Sequence, residues 1–351
     1  MNGSAPNPLT PNPALYRVPF TTDDFNGMPY RQLGSSGFKV SNVGLGTWKI
    51  GYPETGDDSR IGRVEALKLL DRAVELGVTF WDTANRYNEA SGNSERVIGE
   101  WFRTHPDQRR NVVLATKIFG GMDGRTPNHS RLSRGAILDA VYASLKRLQL
   151  DYIDLLYFHR FDPITPVEES LAAIEDLVQR DLVRYFAVSN FTVDQLKIYR
   201  AAEISVRSRI VAVQNKYDIL NGESAEHQGV LAYAAAHGIS FVAYSPLAMG
   251  LLTERYLDPA KVGPGDRLYD QGMHDQYRNE AVRTKLEKLT QLAAGWGLSL
   301  SQLALAYMLD LPGMGPVIPS ATKISQLESN AAAGRIKLDT AQKTAVLSIL
   351  Q

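Results

Sequence analysis

The amino-acid sequence predicts an α/β fold, a (β/α)8 TIM barrel in which eight parallel strands alternate with helices. Short apolar runs of strand length recur along the 351 residues, and each is followed by a helical or partly helical segment. The runs are 43–47, 78–81, 112–116, 153–158, 185–188, 210–213, 240–244 and 316–319. Eight such repeats match the strand count of this barrel.

Polar or turn-forming residues follow seven of these runs. They are Asp82, Lys117, His159, Ser189–Asn190, Gln214, Ser245–Pro246 and Ser320. In a parallel barrel the carboxyl ends of all strands lie on one face. One residue of this kind can be a helix cap or a turn residue, but seven in register indicate a binding face.

The chain before the first run divides into two parts. Residues 1–29 contain Pro, Asn, Thr and Asp without the apolar core of a signal peptide, so we interpret them as an N-terminal extension. Residues 30–34 and 38–40 flank a glycine-containing turn, which predicts a β-hairpin at the lower end of the barrel. We therefore expect a single barrel domain over residues 30–351.

The longest stretch without a clear period lies between Leu252 and Ala281 and is rich in Gly, Pro, Asp and Tyr. It is longer than a barrel loop requires, which predicts a lid or strap over the ligand face. Extra helices are predicted beyond it, one around Leu286 and Leu289 and one that begins after Ser299.

Composition excludes several classes of function. The 38 basic and 38 acidic side chains balance, which argues against a nucleic-acid partner. The absence of cysteine removes disulfides, thiolate metal sites and cysteine nucleophiles, and we expect no metal. No apolar run approaches the roughly 20 residues that a membrane helix needs. We expect a cytoplasmic protein without a membrane partner, and the oligomeric state stays open.

Ionisable residues at the ends of successive runs form a chemically coherent set. Asp82 ends the second run and Tyr87 follows it, while Lys117 and His159 end the third and fourth runs. A phenol with an ordinary pKa of about 10 is a useful acid at neutral pH only if a nearby cation favours its phenolate. Lys117 can be that cation, with Asp82 holding the ammonium in place. His159 can hydrogen-bond a substrate carbonyl or relay a proton.

With this set the chain resembles the aldo-keto reductases, which are NADPH-dependent (β/α)8 oxidoreductases. Short segments carry the resemblance, in the expected order, over most of residues 30–335. They are 43–48, 82–87 with Gly92, Ser94 and Glu95, Lys117, His159 with Asp162–Pro163, Ser189–Asn190, Gln214, Tyr217, Ser245–Pro246–Leu247 with 250–253, Gln326–Leu327 and Asn330. The resemblance implies that the catalytic residues are Asp82, Tyr87, Lys117 and His159.

The resemblance also implies contacts to NADPH on the same face. Ser189, Asn190 and Gln214 would hydrogen-bond the nicotinamide carboxamide, and Tyr217 would stack on its ring. Arg255 and Arg267, in the irregular stretch, would contact the cofactor phosphates. The other implied contacts are Thr47, Trp48, Asp82, Ser245, Pro246, Leu247, Gly250, Ser320, Thr322, Gln326 and Asn330.

The choice between NADPH and NADH depends on the last run and the helix after it. In the family the N-terminus of this helix receives the adenosine 2′-phosphate. Many members have Gly where Ser320 stands and some have Arg where Gln326 stands, so NADH stays possible. No G-x-G-x-x-G follows the first run, so the fingerprint of a Rossmann dinucleotide site is missing.

Three functions are compatible with these residues. The first is reduction of a small aldehyde or ketone, or the reverse oxidation of an alcohol, with Tyr87 as the proton donor. The second is a cofactor-binding regulatory or scaffold subunit, because the family includes potassium-channel β subunits that are similar at residues 245–247 and 326–327. The third makes Lys117 the Schiff-base lysine of a barrel aldolase. The partners Asp82 and Tyr87 favour the first.

Overall fold

The computed structural model describes residues 23–122, 124–203 and 208–351. In this part of the chain the strands are β1 (Asp24–Phe25), β2 (Met28–Gln32), β3 (Lys39–Ser41), β4 (Leu45–Gly46), β5 (Phe80–Asp82), β6 (Val113–Ile118), β7 (Ile153–Phe158), β8 (Val183–Ser189), β9 (Ile210–Asp218), β10 (Gly222–Glu223), β11 (Ser240–Tyr244) and β12 (Met314–Ile318).

The α-helices in the same residues are α1 (Arg63–Glu75), α2 (Tyr87–Ala90), α3 (Asn93–Thr104), α4 (Arg134–Leu148), α5 (Val167–Gln179), α6 (Val193–Ala202), α7 (Val230–Ala236), α8 (Arg267–Asp270), α9 (His274–Arg278), α10 (Glu280–Gly295), α11 (Leu300–Leu309), α12 (Ile324–Ala333) and α13 (Thr340–Leu350). Short 3₁₀ turns cover Pro53–Thr55, Pro106–Arg110, Pro127–His129, Ala225–His227, Ala248–Gly250, Glu254–Tyr256 and Pro259–Lys261.

Parallel strands form a closed barrel in the order β4, β5, β6, β7, β8, β9, β11 and β12. Bridges that pair Val43 with Val317 and Gly46 with Ser320 join the first and last strands. The closure is tight at Gly44, where a Cβ atom would lie 2.7 Å from the Phe80 carbonyl oxygen. A larger residue would push the strands apart there. The (β/α)8 barrel predicted from the sequence is confirmed.

An antiparallel hairpin of β2 and β3 closes the lower end of the barrel. Leu33 and Val40, at the turn end of this hairpin, are fully buried in a cluster with barrel residues that include Tyr157. Arg31 ties the hairpin to β12 because its guanidinium donates to the Met314 carbonyl oxygen at 2.8 Å. The hairpin that the sequence predicts is therefore the plug of the barrel.

The N-terminal sheet begins before the domain boundary that we expected at residue 30. β1 pairs with β2, with Asp24 opposite Pro29 and Phe25 opposite Met28. Met28 is fully buried in the main core. Residues 24–29 therefore pack with the barrel, and the Asp23 carbonyl oxygen accepts from the Tyr30 amide at 2.8 Å. The remaining part of the expected extension, residues 1–22, lies outside the described residues.

Helices cover the outside of the barrel with their apolar faces inward. In α3, Trp101 packs edge-on against Trp81 of β5, with ring centroids 4.6 Å apart. The stretch predicted as irregular contains the short helices α8 and α9. Within the described ranges, no single helix is long and apolar enough to cross a membrane, and α10 and α11 reach that threshold only as a pair bent by 88°.

Candidate active site

The carboxyl ends of the barrel strands surround a cavity of about 1280 Å³. Asp82 is the last residue of β5, Lys117 lies near the end of β6, and His159 directly follows β7. Tyr87 comes to the same place at the start of α2. The structure therefore brings the four predicted catalytic residues together on the face that parallel strand ends share.

The Lys117 ammonium connects the members of this set. Nζ donates to the Tyr87 hydroxyl at 2.7 Å and to the Thr83 carbonyl oxygen at 2.9 Å, and it forms an ion pair with the Asp82 carboxylate. An ammonium has three N–H donors, and these three acceptors use all of them. Burial lowers the pKa of Lys117, and Asp82 opposes that shift.

Asp82 has hydrogen-bond partners on both carboxylate oxygens. Oδ1 accepts from Lys117 and also from the Tyr87 hydroxyl at 3.3 Å. Oδ2 accepts from Gln214 Nε2 at 2.7 Å. A buried carboxylate needs such partners to offset its lost hydration. Gln214, expected from the resemblance to bind cofactor, is thus oriented by the Asp82 carboxylate.

The pKa of Tyr87 shifts in the opposite direction from our expectation. Burial of the ring and the nearby Asp82 carboxylate raise the pKa of the phenol well above its ordinary value. The expected lowering by Lys117 is outweighed in the resting site. The Tyr87 hydroxyl is therefore protonated at neutral pH. Because Lys117 donates to the phenol oxygen, the phenol proton points either to Asp82 or into the cavity.

His159 is uncharged at neutral pH. Burial, Lys117 and the neighbouring guanidinium groups of Arg160 and Arg86 lower the pKa of its imidazole to about 3. Its ring lies edge-on to the ring of Tyr87, with centroids 6.2 Å apart. A neutral imidazole offers one N–H donor and one acceptor, which suits a carbonyl or hydroxyl group bound beside Tyr87.

The loop that carries Tyr87 has an unusual backbone conformation. Asn88, Glu89 and Ala90 have φ angles of 57°, 55° and 59°, in the left-handed region that residues other than glycine rarely adopt. Asn88 anchors this loop because its side-chain amide donates to the Ile50 carbonyl oxygen at 2.6 Å. The sequence analysis missed Asn88, since a lone loop asparagine carries no distinguishing pattern.

Ser189 and Asn190 form a hydrogen-bonded rim at the end of β8. The Ser189 hydroxyl donates to the Gln214 carbonyl oxygen at 2.8 Å, and the Asn190 amide donates to the His159 carbonyl oxygen at 2.9 Å. Both residues line the cavity together with Gln214. Hydroxyl and amide groups at this rim are the types that can hydrogen-bond a carboxamide.

Tyr217 points away from the cavity, so the predicted stacking of this residue on a nicotinamide ring is wrong. Side chains alternate along β9, and Gln214 faces the cavity while Tyr217 packs outside the barrel against Phe241, with ring centroids 5.9 Å apart. Tyr244, at the end of β11, is an aromatic residue that does line the cavity beside Asn190, and its hydroxyl donates to Asn190 Oδ1 at 2.9 Å. The two-residue period of a strand could have revealed this difference.

Thr47 is also absent from the cavity wall, which corrects its predicted cofactor contact. It is fully buried, and its hydroxyl donates to the Asp82 carbonyl oxygen at 2.9 Å, so it supports the backbone at Asp82. Trp48 does line the cavity. The guanidinium of Arg267 lies 4.7 Å from the centroid of its ring.

The stretch after β11 crosses the cavity beside Trp48. Arg267 is half-buried there, burial lowers its pKa, and its Nε has no hydrogen-bond partner among the described residues. A buried donor without a partner is costly, so this position suits an anion. Arg255 is exposed and ion-paired with Asp266. The other predicted contacts on this wall are Ser245, Pro246, Leu247 and Gly250.

The N-terminus of α12 forms the far end of the cavity. Predicted contacts that line it here are Ser320, Thr322, Gln326 and Asn330. Gln326 Oε1 accepts from the Thr322 amide at 2.8 Å. The first amides of the helix, those of Ile324 and Ser325, have no acceptor in the described part of the chain. Free amides at a helix N-terminus attract phosphate groups.

The sequence profile of the Aldo/keto reductase family matches residues 42–351. The chain belongs to the aldo-keto reductase family. Aldo-keto reductase AFTS1 of Alternaria alternata is 34% identical over 302 residues, which cover 80% of this chain and 80% of that protein. Versiconal hemiacetal acetate reductase of Aspergillus parasiticus is 30% identical over 333 residues, or 89% of this chain and 94% of that protein.

Proteins named as potassium channel subunits are also similar to this aldo-keto reductase. A probable voltage-gated potassium channel subunit beta of Arabidopsis thaliana is 33% identical over 311 residues, or 86% of this chain and 90% of that protein. The crystal structure of the thermostable aldo-keto reductase Tm1743 with the inhibitor epalrestat is similar at a TM-score of 0.70 and 29% identity, covering 92% of this chain and 100% of that one. The family comprises oxidoreductases that act on small carbonyl compounds and typically bind a nicotinamide cofactor.

Proposed function

We propose that this aldo-keto reductase reduces an aldehyde or ketone with NADPH, or oxidises the corresponding alcohol, and that Tyr87 is its general acid. One observation carries the proposal, namely the contact of the Lys117 ammonium with both Tyr87 and Asp82 beside the cavity. It leaves a protonated phenol facing the space in which a carbonyl compound would bind.

Tyr87 has the protonation state and the geometry of a proton donor. Lys117 occupies a lone pair of the phenol oxygen, and the internal acceptor for the phenol proton, Asp82 Oδ1, lies at 3.3 Å, which is long for an O–H donor. A carbonyl oxygen held close to Tyr87 would be a better acceptor. As the proton leaves, the Lys117 ammonium at 2.7 Å stabilises the charge that develops on the phenol oxygen. This stabilisation acts in the transition state, so it does not require a lowered pKa in the resting protein.

His159 would orient the same carbonyl. Its neutral imidazole can donate one hydrogen bond to the carbonyl oxygen without acting as the acid, because a pKa of about 3 means that the imidazolium form is absent at neutral pH. Trp48 and Phe119 supply apolar surface to the cavity wall nearby. These groups would hold the substrate in the position from which Tyr87 can reach it.

Residues of the cavity wall fit NADPH, which when bound supplies the hydride that adds to the carbonyl carbon. Ser189, Asn190 and Gln214 would hold the carboxamide, and Tyr244 offers an aromatic face close to them. Two unsatisfied groups support this fit at the phosphate end, the buried Nε of Arg267 and the free first amides of α12. Ser320, Thr322 and Gln326 would surround the 2′-phosphate.

A regulatory role is the second candidate, because relatives named as potassium channel β subunits match most of the chain. A protein of that kind would bind cofactor in the same cavity without needing turnover. The aldolase hypothesis is disfavoured because imine formation requires a neutral amine with a free lone pair. Lys117 instead donates to three acceptors as an ammonium.

An absorbance assay distinguishes the two candidates. NADPH oxidation is followed with a panel of sugars, aromatic aldehydes and keto compounds, using the wild-type protein and Tyr87→Phe side by side. We expect turnover of at least one class of carbonyl compound by the wild type and its loss in the variant. NADPH binding without oxidation by any member of the panel would favour the regulatory role.

A further inference from the structure

Two arginines of the cavity wall beside Tyr87 and His159 lack a carboxylate partner in the described part of the chain. The carboxylates that line the cavity, Asp82, Glu254 and Asp266, are each ion-paired or hydrogen-bonded within the protein. Arg86 and Arg160 line the same cavity, and neither has a carboxylate partner among the described residues. The wall beside the proposed proton donor is therefore positively charged.

The two arginines flank the residues that would receive the carbonyl group. Arg86 directly precedes Tyr87, Arg160 directly follows His159, and both arginine side chains are exposed. The loop after β6 holds one edge of the Arg86 guanidinium, because Arg86 NH1 donates to the Gly121 carbonyl oxygen at 2.6 Å. The remaining donors of this guanidinium have no partner in the described residues. Both guanidinium groups also help to lower the pKa of His159, as expected if they lie near its ring.

Some other cations of the wall have different partners. Lys49, whose ammonium lies 4.1 Å from the centroid of the Trp48 ring, is ion-paired with Asp58 at 2.6 Å, and Arg60 is ion-paired with Asp270 at 2.8 Å. Arg267 belongs to the stretch beside Trp48 where the cofactor phosphates are expected. Lys216 of β9 and Lys323, which precedes α12, also line the cavity without an ion pair in the described residues. Arg86 and Arg160 are the unpaired cations that directly adjoin Tyr87 and His159 in the chain, so they are placed to bind an anion on the substrate.

We infer that the carbonyl substrate carries an anionic group, a carboxylate or a phosphate monoester, and that Arg86 and Arg160 bind it. The inference rests on the proposed function, because it concerns the same site. A guanidinium presents paired N–H donors that match the oxygens of either group. The carbonyl end of the substrate then lies between Tyr87 and His159, and binding of the remote anion fixes its position.

A series of para-substituted benzaldehydes tests the inference by kcat/KM with NADPH. The compounds are 4-carboxybenzaldehyde, 4-formylphenyl phosphate, the neutral methyl 4-formylbenzoate and the cationic (4-formylphenyl)trimethylammonium. We expect at least one of the two anions to exceed the ester by about ten-fold, since a charge-assisted hydrogen bond has this magnitude. The ester is more electron-withdrawing than the carboxylate, so intrinsic carbonyl reactivity opposes this order. Which anion is preferred identifies the group, and added salt should reduce the preference.

The double variant Arg86→Gln/Arg160→Gln removes both charges. We expect its kcat/KM for the preferred anion to fall by about ten-fold, toward that for the ester. Arg110→Gln is the matched control, because Arg110 is exposed in the 3₁₀ turn that precedes β6, on the opposite face of the barrel. It makes the same substitution and should keep the wild-type preference.

Two results would overturn the inference and leave the proposed function in place: equal kcat/KM for the ester and both anions, or an anion preference that survives in the double variant. If no aldehyde is turned over, the proposed function fails and binding tests the anion site separately. Calorimetry on NADP⁺-saturated protein would compare 4-carboxybenzyl alcohol and 4-(hydroxymethyl)phenyl phosphate with the neutral 4-(hydroxymethyl)benzamide. Tighter binding of either anion would support the inference, and equal affinities would overturn it.

Discussion

Lys117 Nζ donates a hydrogen bond of 2.7 Å to the Tyr87 hydroxyl, while burial and Asp82 raise the pKa of that hydroxyl. These two facts are compatible because they concern different stages of a reaction. A raised pKa keeps the proton on the resting phenol, and the adjacent ammonium stabilises the oxygen as the proton departs. The lysine thus acts on the charge that develops on Tyr87 rather than by ionising it beforehand.

Tyr87→Phe should lower kcat by about 100-fold or more, because it removes a general acid and keeps the ring. Cofactor affinity, measured by protein fluorescence, should stay close to that of the wild type. The pair of measurements separates loss of chemistry from loss of binding. Unchanged turnover in the variant would remove Tyr87 from the mechanism.

Lys117→Met should reduce activity sharply at neutral pH, since the developing phenolate loses its counter-charge. It should also lower the free energy of unfolding by about 3–5 kcal/mol, because a buried carboxylate is left without its ion-pair partner. The double variant Lys117→Met/Asp82→Asn provides the control, as it removes both charges of the pair. We expect chemical denaturation to show much of the stability restored while activity stays low. Full activity in Lys117→Met would contradict the proposed role of the ammonium.

Much of this fold is predictable because a buried parallel strand is a continuous run of apolar residues in the sequence. The run 153–158 coincides with β7 (Ile153–Phe158), and the polar residue after it, His159, lies on the ligand face. The convergence of Asp82, Lys117 and His159 could be predicted for the same reason, since parallel strands carry their ends to one rim. The predicted positions of the strand ends were less accurate. Lys117, which we expected directly after the run 112–116, lies within β6.

Features that depend on three-dimensional surroundings were not predictable in this way. The pKa direction of Tyr87 is set by burial against several residues distant in sequence. The position of Tyr244 in the cavity wall depends on which strand ends beside Asn190. The anchor at Asn88 depends on a carbonyl group of Ile50 that only the folded chain brings near.

NADPH should bind more tightly than NADH, by about 1.5–3 kcal/mol, which is the range for a hydrogen bond to a charged group. The expectation follows from the free first amides of α12 and from Ser320 and Thr322 beside them. Fluorescence titration with each cofactor measures the difference. Arg267→Gln should weaken both cofactors similarly if that residue contacts a phosphate common to the two. Equal affinities for NADPH and NADH in the wild type would argue against a 2′-phosphate site at α12.

The titration of His159 predicts a pH dependence of stability. Its pKa is about 3 in the folded protein and 6.5 in the absence of its surroundings. Between these values the unfolded chain holds a proton on this imidazole and the folded chain does not, so unfolding takes up a proton and stability rises with pH. The contribution of the neutral imidazole to the free energy of unfolding is fully present above pH 6.5. It is lost as the pH falls toward 3, at a slope of up to about 1.4 kcal/mol per pH unit.

Replacing the imidazole isolates this contribution from that of other titrating groups. Urea unfolding is measured from pH 7 down to the lowest pH at which the wild type stays folded, for the wild type and for His159→Gln and His159→Asn. Both variants should lose stability less steeply than the wild type below pH 6.5, because neither side chain takes up a proton on unfolding. The difference between wild-type and variant free energies of unfolding should therefore shrink by up to about 1.4 kcal/mol per pH unit as the solution is acidified. Parallel curves would mean that His159 titrates alike in both states, and the neutral imidazole proposed to orient the carbonyl would then lose its physical basis.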